Sequence, residues 1–104
     1  MTAYVISDVR GLDPDAVARY RRLASESIAR HGGWYLSHVG ADIDVLEGDW
    51  EPANVVVVAF PSMNTARDWY SSRDYGEALE VRPHALARNL ILIAGTDERP
   101  ADDP

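Results

Sequence analysis

Residues 3–39 read AYVISDVRGLDPDAVARYRRLASESIARHGGWYLSHV, and this stretch decides the fold because it holds a strand, a helix and a second strand in succession. Its first part, residues 3–9, is rich in β-branched and aromatic residues, which predicts a strand. Alternation along that strand places Val5, Ser7 and Val9 on one face and the even-numbered residues on the other.

The helix between the two strands has signals at both ends. Asp13 can accept hydrogen bonds from the free N–H groups of the first turn, and Pro14 suits the first helical position. Gly32 and Gly33 supply the left-handed residue that commonly ends a helix. The sequence therefore predicts one helix over residues 14–31.

The second strand is predicted over residues 34–39, directly after the glycine pair. Strict alternation puts Trp34, Leu36 and His38 on one face. Residues 43–48 either extend this strand or form a short extra one.

The second half of the chain repeats the strand–helix–strand order. Residues 54–60 form the most apolar segment, which predicts a central strand covered on both faces. Ser62 caps a second helix, and Asp74 can cap a further helical segment that must break near Pro83. Residues 90–94 are the last predicted strand.

The element order β-α-β-β-α-β predicts an α+β fold of the ferredoxin-like kind, with both helices on one face of an antiparallel sheet. The other face still carries apolar residues. A second copy stacked sheet to sheet would cover it, so we expect a homodimer in the form of a dimeric α/β barrel. Residues 1–95 form the single domain, and the acidic tail 96–104 is expected to be mobile or to contact the partner.

Composition narrows the class of protein. The 104-residue chain has a formal net charge of −7, and such a surface repels phosphate backbones and anionic lipids, so we expect no nucleic-acid or membrane partner. It has no cysteine, and its histidines lack metal-ligand spacing, so neither a metal nor a cofactor is expected. Its start has no signal-peptide pattern, which favours a cytoplasmic protein.

Several short motifs also resemble those of domain-of-unknown-function family 1330, over residues 3–95. They are Ala3-Tyr4-Val5-Ile6, Asp13-Pro14 with Tyr20, Gly32-Gly33, Val45-Leu46-Glu47-Gly48-Asp49-Trp50, Phe60-Pro61-Ser62 with Ala66, Tyr70-Ser71-Ser72, Asp74-Tyr75, Arg82 and Gly95. The resemblance implies the dimeric α/β barrel fold and no particular activity.

The wider superfamily that this resemblance implies includes cofactor-free oxygenases of polycyclic phenols, polyketide cyclases, lactone isomerases and haem enzymes. Their pockets usually lie between one subunit's sheet and its helices. Relatives tend to carry a basic residue after the glycine pair and an Ala-Arg-Gly-like stretch further on. This chain instead has Trp34-Tyr35 and Ser37-His38-Val39, which implies a more aromatic pocket with a titratable imidazole.

Three residues are candidates for catalysis. His38 can act as a general acid or base, or it is a hydrogen-bonded histidine at the sheet or dimer face. Arg82 can hold a carboxylate or enolate, or it forms a structural ion pair with Glu47 or Asp8. Tyr75 can donate its hydroxyl proton to a substrate oxygen.

Four further residues are candidates for substrate binding. Trp34 and Trp50 could wall a pocket for a flat ligand, and Glu47 next to the flexible Gly48 could rim it. Alternatively, Gly48 permits a bulge and Trp50 packs at the dimer contact. His84 is a possible neighbour of the catalytic arginine, or simply a surface histidine.

These observations predict a small cofactor-independent enzyme of the isomerase, cyclase or oxygenase type, acting on a compact, oxygenated, aromatic molecule. The hypothesis requires His38 and Arg82 to line the same enclosed space. The alternative is a non-catalytic small-molecule-binding or accessory dimer, in which both residues serve only stability.

Overall fold

A computed structural model describes residues 1–96, so residues 97–104 of the predicted tail lie outside the described residues. The elements in chain order are β1 (Ala3–Gly11), α1 (Pro14–Arg30), β2 (Trp34–Ser37), β3 (Val55–Phe60), α2 (Met63–Tyr70), α3 (Arg73–Ala85) and β4 (Leu86–Ala94).

The four strands form one sheet in the order β2-β3-β1-β4, and every neighbouring pair is antiparallel. Val5 of β1 lies opposite Val58 on one side and Leu92 on the other. The apolar segment of the second half is therefore a central strand, as predicted. The predicted ferredoxin-like α+β fold is confirmed.

The ends of α1 follow the predicted signals. The Ala16 N–H donates to the Asp13 carboxylate at 2.9 Å. At the other end Gly32 has φ +75°, and the Gly33 N–H donates to the Ile28 carbonyl at 2.9 Å. These bonds satisfy backbone groups that the helix itself leaves free.

The second half differs from the sequence prediction in three places. Ser72, not Asp74, caps α3, and the helix continues through Pro83 to Ala85. Pro83 removes one i→i−4 hydrogen bond and crowds the carbonyl one turn earlier, so it weakens the last turn, and the helix ends two residues later. The final strand begins at Leu86 rather than at residue 90, because it continues the ladder with β1 as far as Gly11.

Residues 38–54 form an exposed loop, and the short strand predicted at 43–48 is wrong. The loop is tied to β1 through Asp8. Its carboxylate accepts hydrogen bonds from the Ala53 and Asn54 backbone N–H groups at 2.9 and 3.2 Å and from the Trp50 indole at 3.1 Å.

The two faces of the sheet have different surroundings. Odd-numbered residues of β1 and even-numbered residues of β3 and β4 point towards the helices, and the core lies there. On the opposite face Trp34, Leu36, Ile91 and Ile93 are each 48–56% exposed. The chain therefore leaves an apolar sheet face uncovered, as predicted.

Candidate functional site

A cavity of about 170 Å³ lies between α1 and the sheet. Residues of α1 line it on one side, and residues of β1, β3 and β4 line it on the other. Aliphatic side chains form most of its walls: Val5, Val9, Ile28, Val58, Leu86 and Leu90. Apolar walls with a few convergent polar groups are typical of small-molecule sites.

The polar end of this cavity is built from one arginine and two tyrosines. Arg88 donates from Nη1 to the Tyr20 hydroxyl at 2.5 Å and from Nη2 to the Tyr75 hydroxyl at 2.6 Å. The two hydroxyls also share a hydrogen bond of 2.6 Å. Tyr20 and Arg88 line the cavity, and Tyr75 lies behind them with 0% of its surface exposed.

Proton counting gives the direction of the bond between the tyrosines. If Tyr20 donated, the Tyr75 oxygen would accept twice and its own proton would have no acceptor inside the core, which is costly. If Tyr75 donates, the Tyr20 oxygen accepts twice and its proton is left free on the side that lines the cavity. The second arrangement is the better one, because it leaves the unpaired proton on Tyr20, which lines the cavity, rather than on the fully buried Tyr75.

Burial and mutual contact shift the pKa values of Tyr20 and Arg88. Burial first, and then the neighbouring Tyr75, raise the pKa of the Tyr20 hydroxyl far above its usual range, although Arg88 acts in the opposite direction. Burial acts to lower the pKa of Arg88, but its attraction to both tyrosines and the hydrogen bonds to them raise it overall. At neutral pH Arg88 is therefore a cation and Tyr20 a protonated hydroxyl.

An aromatic stack holds Tyr75 in place. Its ring lies 4.1 Å from that of Trp69, measured between centroids. The Trp69 indole donates to the Ser27 hydroxyl at 3.0 Å, and that hydroxyl donates to the Ala24 carbonyl at 2.7 Å. Because Trp69 and Ser27 are also buried, the tyrosine and the guanidinium it meets have little freedom to move.

His38 and Tyr35 lie at the β2 side of the cavity, with their rings stacked at 4.6 Å. Strict alternation predicts His38 on the opposite face, and that prediction is wrong. The β2–β3 register shifts between Tyr35 and Ser37, and the Ser37 side chain bridges the Val55 carbonyl and the Val57 N–H. This irregularity turns the following residue towards the helices.

The lining of the cavity carries no negative charge. Besides Arg88 and His38, its polar members are Tyr20, Tyr35, Arg21 and the short side chains Ser7, Ser25 and Asn54. In the described part of the chain, neither aspartate nor glutamate contributes to it. A chain of net charge −7 thus encloses a cavity with only cationic and neutral groups.

Arg82 does not line this cavity, so the pairing of His38 and Arg82 in one space is not found. Arg82 lies in the last turn of α3, before the chain enters β4. His84, also in that turn, lies at a shallow depression between α1 and α3, beside Asp15, Arg19 and Glu80.

The predicted binding residues Trp34, Trp50 and Glu47 lie elsewhere. Trp34 is on the uncovered sheet face, and Trp50 is 59% exposed in the loop that Asp8 holds. Glu47 is exposed in the same loop. The structure brings none of the three to the cavity, and their predicted roles in binding a substrate remain predictions.

Two site residues were missed by sequence reasoning, Arg88 and Tyr20. Arg88 lies in the polar start of β4, before the apolar residues 90–94 for which the sequence predicts the strand. Tyr20 follows the helical spacing of α1, and that spacing gives no sign that its hydroxyl meets Tyr75 and Arg88. If the strand is extended back to Leu86, where its pairing with β1 begins, alternation places Arg88 on the helix side of the sheet.

Within residues 1–96, His, Asp and Glu side chains do not come together in threes in a way that could hold a metal ion. The helices of the same region are too short or too polar to cross a membrane.

Solved structures share this fold. A protein of unknown function from Rhodopseudomonas palustris aligns with a TM-score of 0.71 at 23% identity, over 93% of this chain and 84% of that one. SnoaB, a cofactor-independent oxygenase from Streptomyces nogalater, aligns with a TM-score of 0.54 at 14% identity, over 95% of both chains.

A third similar structure is a dimeric protein of unknown function with a ferredoxin-like fold from Bacteroides fragilis. It aligns with a TM-score of 0.52 at 10% identity, over 90% of this chain and 96% of that one. At these identities the likenesses show the fold alone. No curated protein matches the chain.

The family is shown by a different comparison, which covers nearly all of the described residues. The family model for the domain of unknown function DUF1330 matches residues 2–96, in agreement with the resemblance found in the sequence motifs. The chain therefore belongs to the DUF1330 family.

Proposed function

We propose that this protein is a cofactor-independent enzyme that acts on a compact, oxygenated, aromatic molecule in the cavity between α1 and the sheet. The observation that carries the proposal is the donor cluster of Arg88, Tyr20 and Tyr75 at one end of an otherwise apolar cavity. Such a cluster suits reactions of the isomerase, cyclase or oxygenase type, which develop negative charge on a substrate oxygen.

Arg88 and Tyr20 stabilise that charge. When a proton leaves a carbon or oxygen conjugated with a carbonyl or phenol, the electron pair is delocalised onto the substrate oxygen. A guanidinium and a hydroxyl already held in place there stabilise the resulting anion without reorganising. Tyr75 acts as a positioning residue, because it bonds both groups from the core side. In this proposal Arg88 takes the role that the sequence suggested for Arg82.

His38 transfers the proton. It lines the cavity on the β2 side and belongs to a different element from Arg88, Tyr20 and Tyr75. An imidazole can both take up and release a proton. Its stacking on Tyr35 limits the orientations of the ring. A base on one side and an oxyanion site on another match the requirements of an enolisation.

The working unit is a homodimer formed through the uncovered sheet face. This part of the proposal rests on the half-exposed side chains of Trp34, Leu36, Ile91 and Ile93. The dimeric structure from Bacteroides fragilis supports it as an analogy of fold.

The proton-transfer step can be tested in heavy water. Single-ring aryl ketones such as acetophenone are incubated with the protein, and loss of the C–H signal next to the carbonyl is followed by NMR. We expect wild type and the exposed-residue control Arg22→Gln to accelerate exchange. Arg88→Gln and His38→Ala should slow it by roughly a hundredfold, the usual cost of losing one such group.

The alternative, a non-catalytic binding protein, predicts a different result. Wild type would then exchange no faster than buffer, while Arg88→Gln would still change the melting temperature. Equal exchange by wild type and Arg88→Gln would also end the proposed mechanism.

A further inference from the structure

We infer that the cavity takes its ligand as an anion, namely a single-ring organic acid whose acidic oxygen is held by Arg88 and Tyr20. The inference rests on the proposed function in using the same cavity, and it adds the charge, size and orientation of the substrate.

The first argument is the charge of Arg88. Its side chain is partly buried, yet among residues 1–96 its side-chain hydrogen bonds go only to the neutral hydroxyls of Tyr20 and Tyr75. No carboxylate in that part of the chain forms an ion pair with it, whereas Arg30 at the surface has two such partners. A sheltered cation without a counterion is costly, and an anionic ligand would supply the missing charge.

The second argument is that the polar end offers donors only. A guanidinium has five N–H groups and no acceptor, and the two bonds to tyrosines use two of the five. The Tyr20 O–H is also left free on the cavity side, since Tyr20 accepts from both Arg88 and Tyr75. A ligand group placed there must accept several hydrogen bonds, and an oxyanion does so best.

The third argument is the size of the cavity. About 170 Å³ is close to the roughly 150 Å³ of an engineered apolar cavity that holds one benzene molecule. Aliphatic walls from β1, β3 and α1 fit a ring rather than a bare inorganic ion. The volume thus favours one ring, and it disfavours the polycyclic phenols that the wider superfamily accepts.

These arguments also orient the ligand. Its acidic oxygen points to Arg88 at the start of β4, and its ring lies between Val5, Val58 and Ile28. The far side of the ring then faces His38 and Tyr35. The atom that loses or gains a proton in the proposed reaction is therefore the part of the ring or its substituent opposite the acidic oxygen.

The test uses 4-nitrophenol, because its phenolate absorbs visible light and its phenol does not. In a buffer near the phenol's own pKa, wild-type protein should raise the visible band by binding the anion. Arg88→Gln should weaken binding at least tenfold, Tyr20→Phe less, and Arg88→Lys should give an intermediate result because it keeps the charge and loses the fork. Arg22→Gln serves as the exposed control.

Competition identifies the ligand class. Benzoate should displace the phenolate, whereas benzamide, benzyl alcohol and 2-naphthoate should not, and sulfate should compete only weakly. Circular dichroism and melting curves for each variant separate loss of binding from loss of folding, and Arg88→Lys keeps the test valid if Arg88→Gln does not fold.

Two results would overturn the inference: benzyl alcohol competing as well as benzoate, or Arg88→Gln binding the phenolate like wild type. Failure of the proposed function looks different, because the phenolate would then bind while no ring compound exchanges its protons. If neutral ketones exchange rapidly and no anion binds, the enzyme proposal stands and this inference falls.

Discussion

Two charged side chains on the sheet have opposite surroundings. Asp8 accepts three hydrogen bonds from its own chain, from Ala53, Asn54 and Trp50, so its charge is matched within the fold. Among residues 1–96, Arg88 donates hydrogen bonds only to the neutral hydroxyls of Tyr20 and Tyr75, and it lines a cavity. A charge matched internally indicates a structural role, and a charge left for an outside partner indicates a binding role.

The structural role of Asp8 can be tested through pH. Desolvation acts to raise its pKa, but the hydrogen bonds from Ala53, Trp50 and Asn54 outweigh it and lower the pKa below its usual 3.8. The unfolded chain therefore binds the proton more readily than the folded one. The stabilisation is fully present above pH 3.8 and is lost as pH falls through the lower folded-state pKa.

We expect hydrogen exchange of the Ala53 and Asn54 amides to quicken in that acid range, and to be fast at neutral pH in Asp8→Asn. Asp42→Asn, an exposed substitution in the same loop, should leave both amides protected. Equal protection of these amides in Asp8→Asn and wild type would show that the loop is held by other contacts.

The crossover from α1 to β2 depends on close contact at Gly33. A Cβ added there would lie 2.7 Å from Phe60 Cε1 and 2.9 Å from Ile28 Cγ2. Phe60 is fully buried, so it cannot move aside. This contact fixes how α1 sits above the sheet, and hence the height of the cavity.

We expect Gly33→Ala to lower the free energy of unfolding by about 1–3 kcal/mol, as overpacking in a core usually does. Gly76→Ala is the matched control. It lies inside α3 with open space around its Cα, so it should raise stability by roughly 0.5–1 kcal/mol. Urea denaturation measures both, and equal effects of the two substitutions would contradict the packing argument.

Helices and strands differ in how far the sequence could predict them. Helix ends marked by local chemistry, such as Asp13 and Gly32, were predictable because the signal lies in neighbouring residues. The start of β4 and the turn of His38 depend on pairing with distant strands, which no local pattern contains. The site contains residues of both kinds. His38 could be predicted from its residue type, whereas the place of Arg88 depends on the pairing of β4 with β1.

At the scale of the whole molecule, one face of the sheet is apolar and is not covered by any element of residues 1–96. It spans from Trp34 on the edge strand β2 to Ile91 and Ile93 on the opposite edge strand β4. Trp50 lies against the middle of this face, next to Ile6 and Ile91. A continuous exposed apolar surface across a sheet commonly marks a contact with another protein chain.

Ile91→Glu should therefore convert the protein from dimer to monomer in sedimentation velocity, because it would bury a carboxylate without a partner in the contact. Leu12→Glu changes an equally exposed apolar residue, 58% exposed against 56% for Ile91, but in the β1–α1 turn, and should leave the dimer intact.

Since the cavity lies on the other side of the sheet, the monomer should still bind 4-nitrophenolate if one chain completes the site. Loss of binding in Ile91→Glu at full helical content would mean that the partner shapes the cavity, and a wild-type monomer would remove the sheet face from the proposal altogether.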